Sequence, residues 1–157
     1  MLVPGLAMLA GLLVAASAHA QTSGSLAART TVLSALGVTG TADLAFGIVA
    51  TTSSKVVPAK TGGRFSVTGA ANQPVSVSFA LPANLGHPAV VVGSWTGLRG
   101  TAPGAGSANP FVPSAAAQTM TLSGTGRLFL WIGGTIVTTA APIGSYTSPV
   151  VVTVVYN

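Results

Sequence analysis

The chain has 157 residues, no cysteine, and a formal net charge of +5 from six Lys and Arg against one carboxylate. Only 4% of residues are charged and 49% are hydrophobic, with mean hydropathy at +0.71, which excludes ordinary acidic disorder and fits one domain with a real core. No disulfide is available, and the cations stand scattered rather than interleaved with aromatics, which argues against a nucleic-acid partner.

Residues 1–20 read as a secretory signal peptide. Leu2 to Ala16 form an apolar run, and Ala18-His19-Ala20 supplies the small-x-small pattern for cleavage after Ala20. The run is short for a membrane span and has no charged stop behind it, so no span is expected in the mature chain. The expected location is therefore secreted, in the periplasm or on the cell surface. Residues 21–29 read as a mobile, small-residue extension, a candidate donor segment for strand exchange. Residues 30–157 read as the folded domain.

Within that domain the signal is alternation with period two, interrupted by turn residues about every ten positions. Thr30–Thr39 predicts a first strand, with Val32, Leu36 and Val38 on one face. Leu44–Val49 predicts a second short strand. Lys55–Lys60 is a weak strand whose Pro58 suits only an edge or an end. Arg64–Gly69 places Phe65 and Val67 inward, and Val75–Phe79 repeats the pattern. Ala89–Trp95 is an apolar strand. Residues 98–114, rich in Gly and Pro, predict a long loop. Met120–Leu122 opens a further strand and Arg127–Ile132 another, with Trp131 expected in the core. Gly133-Gly134 reads as a turn or bulge before Ile136-Val137.

The last strand closes the chain. Val150, Val152, Val154 and Tyr156 share one face, while Pro149, Val151, Thr153, Val155 and Asn157 share the other, which is also largely apolar. Such a strand either sits between two layers or awaits a partner. The fold class is thus all-β, an antiparallel sandwich of eight to ten short strands.

Catalytic chemistry has little material. The chain after residue 20 holds one carboxylate, Asp43, one histidine, His87, and no thiol. A carboxylate pair for acid–base work is impossible, and a metal centre lacks ligands. No nucleophile elbow and no phosphate loop is present. We therefore expect no enzyme, no cofactor and no metal. Trp95, beside Thr96-Gly97, is the one aromatic expected to offer a contact to a ligand.

In order, Leu44-x-Phe46-Gly47, Phe65-Ser-Val67-Thr68-Gly69, Met120-Thr-Leu122, Ile132-Gly-Gly134-Thr, Gly144-x-Tyr146 and Val152-x-Val154-x-Tyr156 resemble the domain-of-unknown-function family DUF4402 across nearly all of residues 30–157. That resemblance implies a secreted bacterial β-sandwich domain. The tail also resembles the C-terminal motif of chaperone–usher pilins and the spore coat protein U group. Tyr156 is the penultimate aromatic, Val154, Val152 and Val150 are the alternating apolar residues, and Gly144 is the glycine fourteenth from the end. The resemblance implies an immunoglobulin-like, pilin-like sandwich completed by strand exchange. Its implied partners are identical subunits and a periplasmic chaperone and usher.

Three readings follow from the sequence. The first is an exported non-enzymatic structural or cell-surface protein, a fimbrial subunit assembling by strand exchange through Gly144, Val150, Val152, Val154 and Tyr156. The second is a free-standing extracellular module that binds glycan or protein through the 98–114 loop and Trp95. The third is a small outer-membrane β-barrel, suggested by the hydropathy and the alternating strands.

Overall fold

The computed structural model describes Ala27 and residues 29–157; the signal peptide and most of the expected donor segment lie outside the described residues. Residues 32–157 form one compact unit that holds every described strand and all three apolar clusters. Nearly all of its regular structure is β, and every strand pair is antiparallel.

The architecture grows from one long strand. The apolar run from Arg127 does not stop at the glycine pair; it continues as a twelve-residue strand, Arg127–Thr138 (β8). On one side β8 pairs with Gly63–Thr68 (β3) and, further along, with Ser53–Val57 (β2). Its other side pairs with Val90–Gly100 (β5). Gly37–Ala42 (β1) extends the sheet beyond β3, and Asn109–Phe111 (β6) extends it beyond β5. A second sheet has three strands: Gln118–Thr121 (β7), Pro74–Ala80 (β4) in the middle, and Val151–Tyr156 (β9). Neither sheet closes on itself, so the described residues do not form a barrel.

Period-two alternation decides what each face buries. Leu128, Leu130 and Ile132 of β8, with Val67 of β3, face Val75, Val77 and Phe79 of β4 and Met120 of β7, making the main core between the sheets. On the opposite face of β8, Phe129 and Trp131 are covered by Ala59, Leu98, Ala105 and Ala108. Trp131 is buried as expected, at 4% exposure, but in this outer cluster rather than between the sheets. A third cluster fills the other end of the fold: Val90, Val92, Val57 and Ile136 from the sheet, with Phe46 and Ala141 from irregular segments.

Two glycines explain why β8 runs through the point where the sequence predicts a turn. A Cβ on Gly133 would collide with the backbone of Val57–Ala59, where the chain leaves β2 at Pro58. A Cβ on Gly134 would stand 3.2 Å from the Trp95 ring. These positions need close approach, not a turn. Trp95 itself sits at a register shift in β5 between Gly93 and Thr96, beside Ser94 at φ 47°.

Other boundaries also move. The first strand is Gly37–Ala42 rather than Thr30–Thr39, and Val32 is exposed. Leu44–Val49 forms no strand. Gly47, at φ +66°, turns the chain so that Phe46 enters the core while Ile48 faces outward. Two short strand segments, the end of β5 and β6, lie within the 98–114 stretch expected as loop.

Leu130 is fully buried at the centre of the main core. Leu130→Ala should cost about 3 kcal/mol through lost burial and a residual cavity, measured by urea denaturation. Gly133→Ala should also destabilise, by at least about 1–3 kcal/mol, because its new methyl meets backbone that has no room to yield.

Candidate assembly edge

β9 lies at the margin of the three-stranded sheet, with β4 on one side and, among the described residues, no strand on the other. Its outer face, with Val151, Thr153 and Val155, is exposed, so the final strand is not sandwiched between layers. Val152, Val154 and Tyr156 pack inward on the main core, whereas Val151 and Val155 are 49% and 53% exposed. Val150 precedes the strand, and Gly144 sits in the loop beside the Tyr146 ring. The five residues expected to form an assembly strand thus divide between β9 and its lead-in.

The direction of the open backbone groups follows from the ladder. Asn157 N–H donates to Pro74 O, and the Phe79 N–H turns the other way, to Ser114 O. Alternation then directs the amides of Val151, Thr153 and Val155 at β4. The N–H and C=O groups of Val152 and Val154 point away from β4 to the open side. No strand among the described residues pairs with them.

Marginal strands template pairing with another chain unless something blunts them. Devices of that kind guard the others. β1 carries a register irregularity between Gly40 and Ala42. β2 contains Lys55 and ends at Pro58. β6 is three residues long and includes Pro110. β7 has four residues, and the Arg99 guanidinium reaches its outward carbonyl at Thr119, 3.5 Å away. The first half of β5 is covered by residues 83–85, through Val92 N–H to Ala83 O and Leu85 N–H to Val90 O. By contrast β9 has six residues in unbroken register, without a charge, proline or bulge.

Tyr156 fixes the end of this edge. Its hydroxyl accepts the Ala70 N–H at 2.6 Å and donates to Ser34 O at 2.7 Å. One side chain thereby ties the C-terminal strand to the β3–β4 turn and to the segment entering β1. Gly69 is required below it, since a Cβ there would stand 2.6 Å from the hydroxyl. Sequence parity puts Tyr156 on one face with Val152 and Val154 but does not say that this face turns inward, and it gives no hint of Ser34 and Ala70, whose backbone groups make the bonds.

A slot of about 540 Å³ opens between the lead-in to β9 and the opposite sheet. Thr147, Pro149 and Val150 form one wall and Gly40 and Ala42 of β1 the other, with Phe65 and Ile132 also lining it. Chain packed into this slot would contact the core directly.

The alternative ligand residues are placed differently. Trp95 is half-buried and packs against both large core clusters, leaving only part of its surface to line the slot and a shallow outer groove. Within the 98–114 stretch, Ala105 and Ala108 pack over Phe129 and Trp131. This loop covers the outer face of β8. His87 is a loop histidine whose Nδ1 accepts the Ala89 N–H at 3.1 Å. Among the described residues, no three His, Cys, Asp or Glu side chains come together as a metal site, and no helix is long and apolar enough to cross a membrane.

Tyr156→Phe keeps the ring and removes both hydroxyl bonds, so it should lower stability by about 1–2 kcal/mol, read as a shift in the urea midpoint. Tyr156→Ala should cost more, about 3 kcal/mol, because ring packing is lost as well. Among known proteins, no family model matches this chain, and no curated protein or solved structure matches it.

Proposed function

We propose that the protein is an exported, non-enzymatic structural subunit of the cell surface, pilin-like in its immunoglobulin-like sandwich, that associates with identical copies by strand addition at β9. The unguarded six-residue edge carries this reading. Strand addition draws affinity from main-chain hydrogen bonds and register from alternate side-chain pockets. β9 supplies the first through the outward groups of Val152 and Val154. The slot beside Val150 offers a place for the second.

Composition supports the non-enzymatic part, since one carboxylate and one histidine after residue 20 leave no acid–base pair. The resemblance of the tail to pilins, and of the domain to DUF4402, supports the rest. On this reading residues 21–29 act as the donor, and a periplasmic chaperone with its usher holds the edge before assembly.

The experiment uses residues 21–157, which include the whole compact unit. Concentrated protein should give SDS-resistant ladders or filaments that vanish when residues 21–29 are deleted. Val155→Lys should suppress the ladders while changing stability by less than about 0.5 kcal/mol, because the side chain is exposed and lysine blunts an edge. A monomer at every concentration, with or without residues 21–29, overturns the proposal.

A further inference from the structure

Two isoleucines stand apart from the core and from the β9 edge. Ile48 and Ile143 are 96% and 97% exposed, and both line one groove at the end of the fold filled by Phe46 and Ala141. They are on irregular segments outside both sheets, so they belong neither to the core nor to the β9 edge.

Their exposure is built in by rigid anchoring on either side. Two residues before Ile48, Phe46 is buried, and Gly47 at φ +66° reverses the direction of the next side chain. Likewise Ala141 is buried two residues before Ile143. The two segments are stitched to one another: Thr138 Oγ1 donates to Ala50 O at 2.7 Å and accepts the Ser53 N–H at 3.0 Å. Ala141 N–H donates to Thr51 O at 2.9 Å, and Ala140 N–H to Thr52 Oγ1 at 3.2 Å. Beyond Ile143, Tyr146 returns its hydroxyl to Pro142 O at 2.6 Å.

We infer that this pair of tips docks on a lipid bilayer, with the isoleucine side chains entering the headgroup boundary and Lys55 meeting lipid phosphate. The charge distribution favours that occupant. The Lys55 ammonium stands beside Gly47, the residue before Ile48, 3.4 Å from where a Cβ on Gly47 would be. No carboxylate lines the groove between the tips, and Asp43, the one carboxylate of the chain, lines the neighbouring slot. A chain of net charge +5 is drawn to an anionic surface. The exposed residues of the tips are aliphatic and flanked by Gly47, Ala45, Gly144 and Ser145, no arginine lines the groove, and its two aromatics are the buried Phe46 and the half-buried Tyr146, whose hydroxyl donates to Pro142 O. Peripheral binding of this kind needs only partial burial of apolar side chains plus electrostatic attraction. It is independent of strand addition at β9.

The test is co-sedimentation of residues 21–157 with phosphatidylcholine vesicles, with and without added phosphatidylglycerol. The protein should bind both, the anionic vesicles more tightly. Ile48→Ser with Ile143→Ser should weaken binding roughly tenfold or more at an unchanged urea midpoint, since both residues are exposed. Lys55→Gln should weaken binding to the anionic vesicles about fivefold and leave the neutral ones unaffected. Ile48→Leu with Ile143→Leu should bind as the parent does. Failure of the parent to sediment with either vesicle overturns the inference. So does equal binding by the double-serine variant, or a lipid-free dimer that the same variant abolishes, which would make a second copy the occupant. Loss of ladders in the Val155→Lys protein with vesicle binding intact would leave the bilayer inference standing apart from the assembly reading.

Discussion

Everything in this fold hangs from β8, which has hydrogen-bonded neighbours along both sides and buried apolar residues on both faces. A strand buried on two faces must be roofed twice. The inner roof is the three-stranded sheet, which covers Leu128, Leu130 and Ile132. The outer one is improvised from Ala59 and from Ala105 and Ala108, laid over Phe129 and Trp131. The far end of β8, around Ile136, lies beyond the second sheet and is closed by Phe46 and Ala141 from irregular segments. The inequality between a long first sheet and a short second one explains both unusual surfaces. A short sheet leaves β9 without an outer neighbour, and loops asked to finish the core expose Ile48 and Ile143 beside the residues they bury.

The alternating strands were readable wherever one face is buried and the other wet. Phe65 and Val67 and the Val75–Phe79 run fall as period-two logic requires, while Leu128–Ile132, apolar on both faces, is legible only as a continuous run. Errors arose where a residue answers to something distant in sequence. Gly133 and Gly134 look like a turn, yet they are small because Val57–Ala59 and Trp95 crowd them. Leu44–Val49 carries strand composition, but the positive φ of Gly47 divides it into an inward and an outward half. The alternation of Thr30–Thr39 predicts a strand seven residues early, since among the described residues no strand pairs with Val32 and its neighbours. The edge strand itself was legible from its parity. Its position at a sheet margin was not, because strand order depends on which distant segments pair.

Tyr156 shows how far one side chain of the tail reaches. Its ring belongs to the core and its hydroxyl to two backbone groups from Ser34 and Ala70, separated from it by more than half the chain. Any substitution there changes the fold as well as the edge. An experiment on association must therefore act on the outward positions, Val151, Thr153 and Val155, which contribute little to the core.

That separation has a deeper consequence for β9. The side chains of Val152 and Val154 point inward, while the backbone groups of those same residues point toward the open margin. The core fixes which side chains occur at these positions, but the edge uses only their amides and carbonyls, which every residue except proline presents equally. A strand can thus be an ordinary wall of its own core and a template for another chain, with nothing in its side chains to announce the second role. What marks it is what β9 lacks when set beside β1, β2, β6 and β7: the bulge, the lysine, the proline and the shortness with which this chain blunts its other margins.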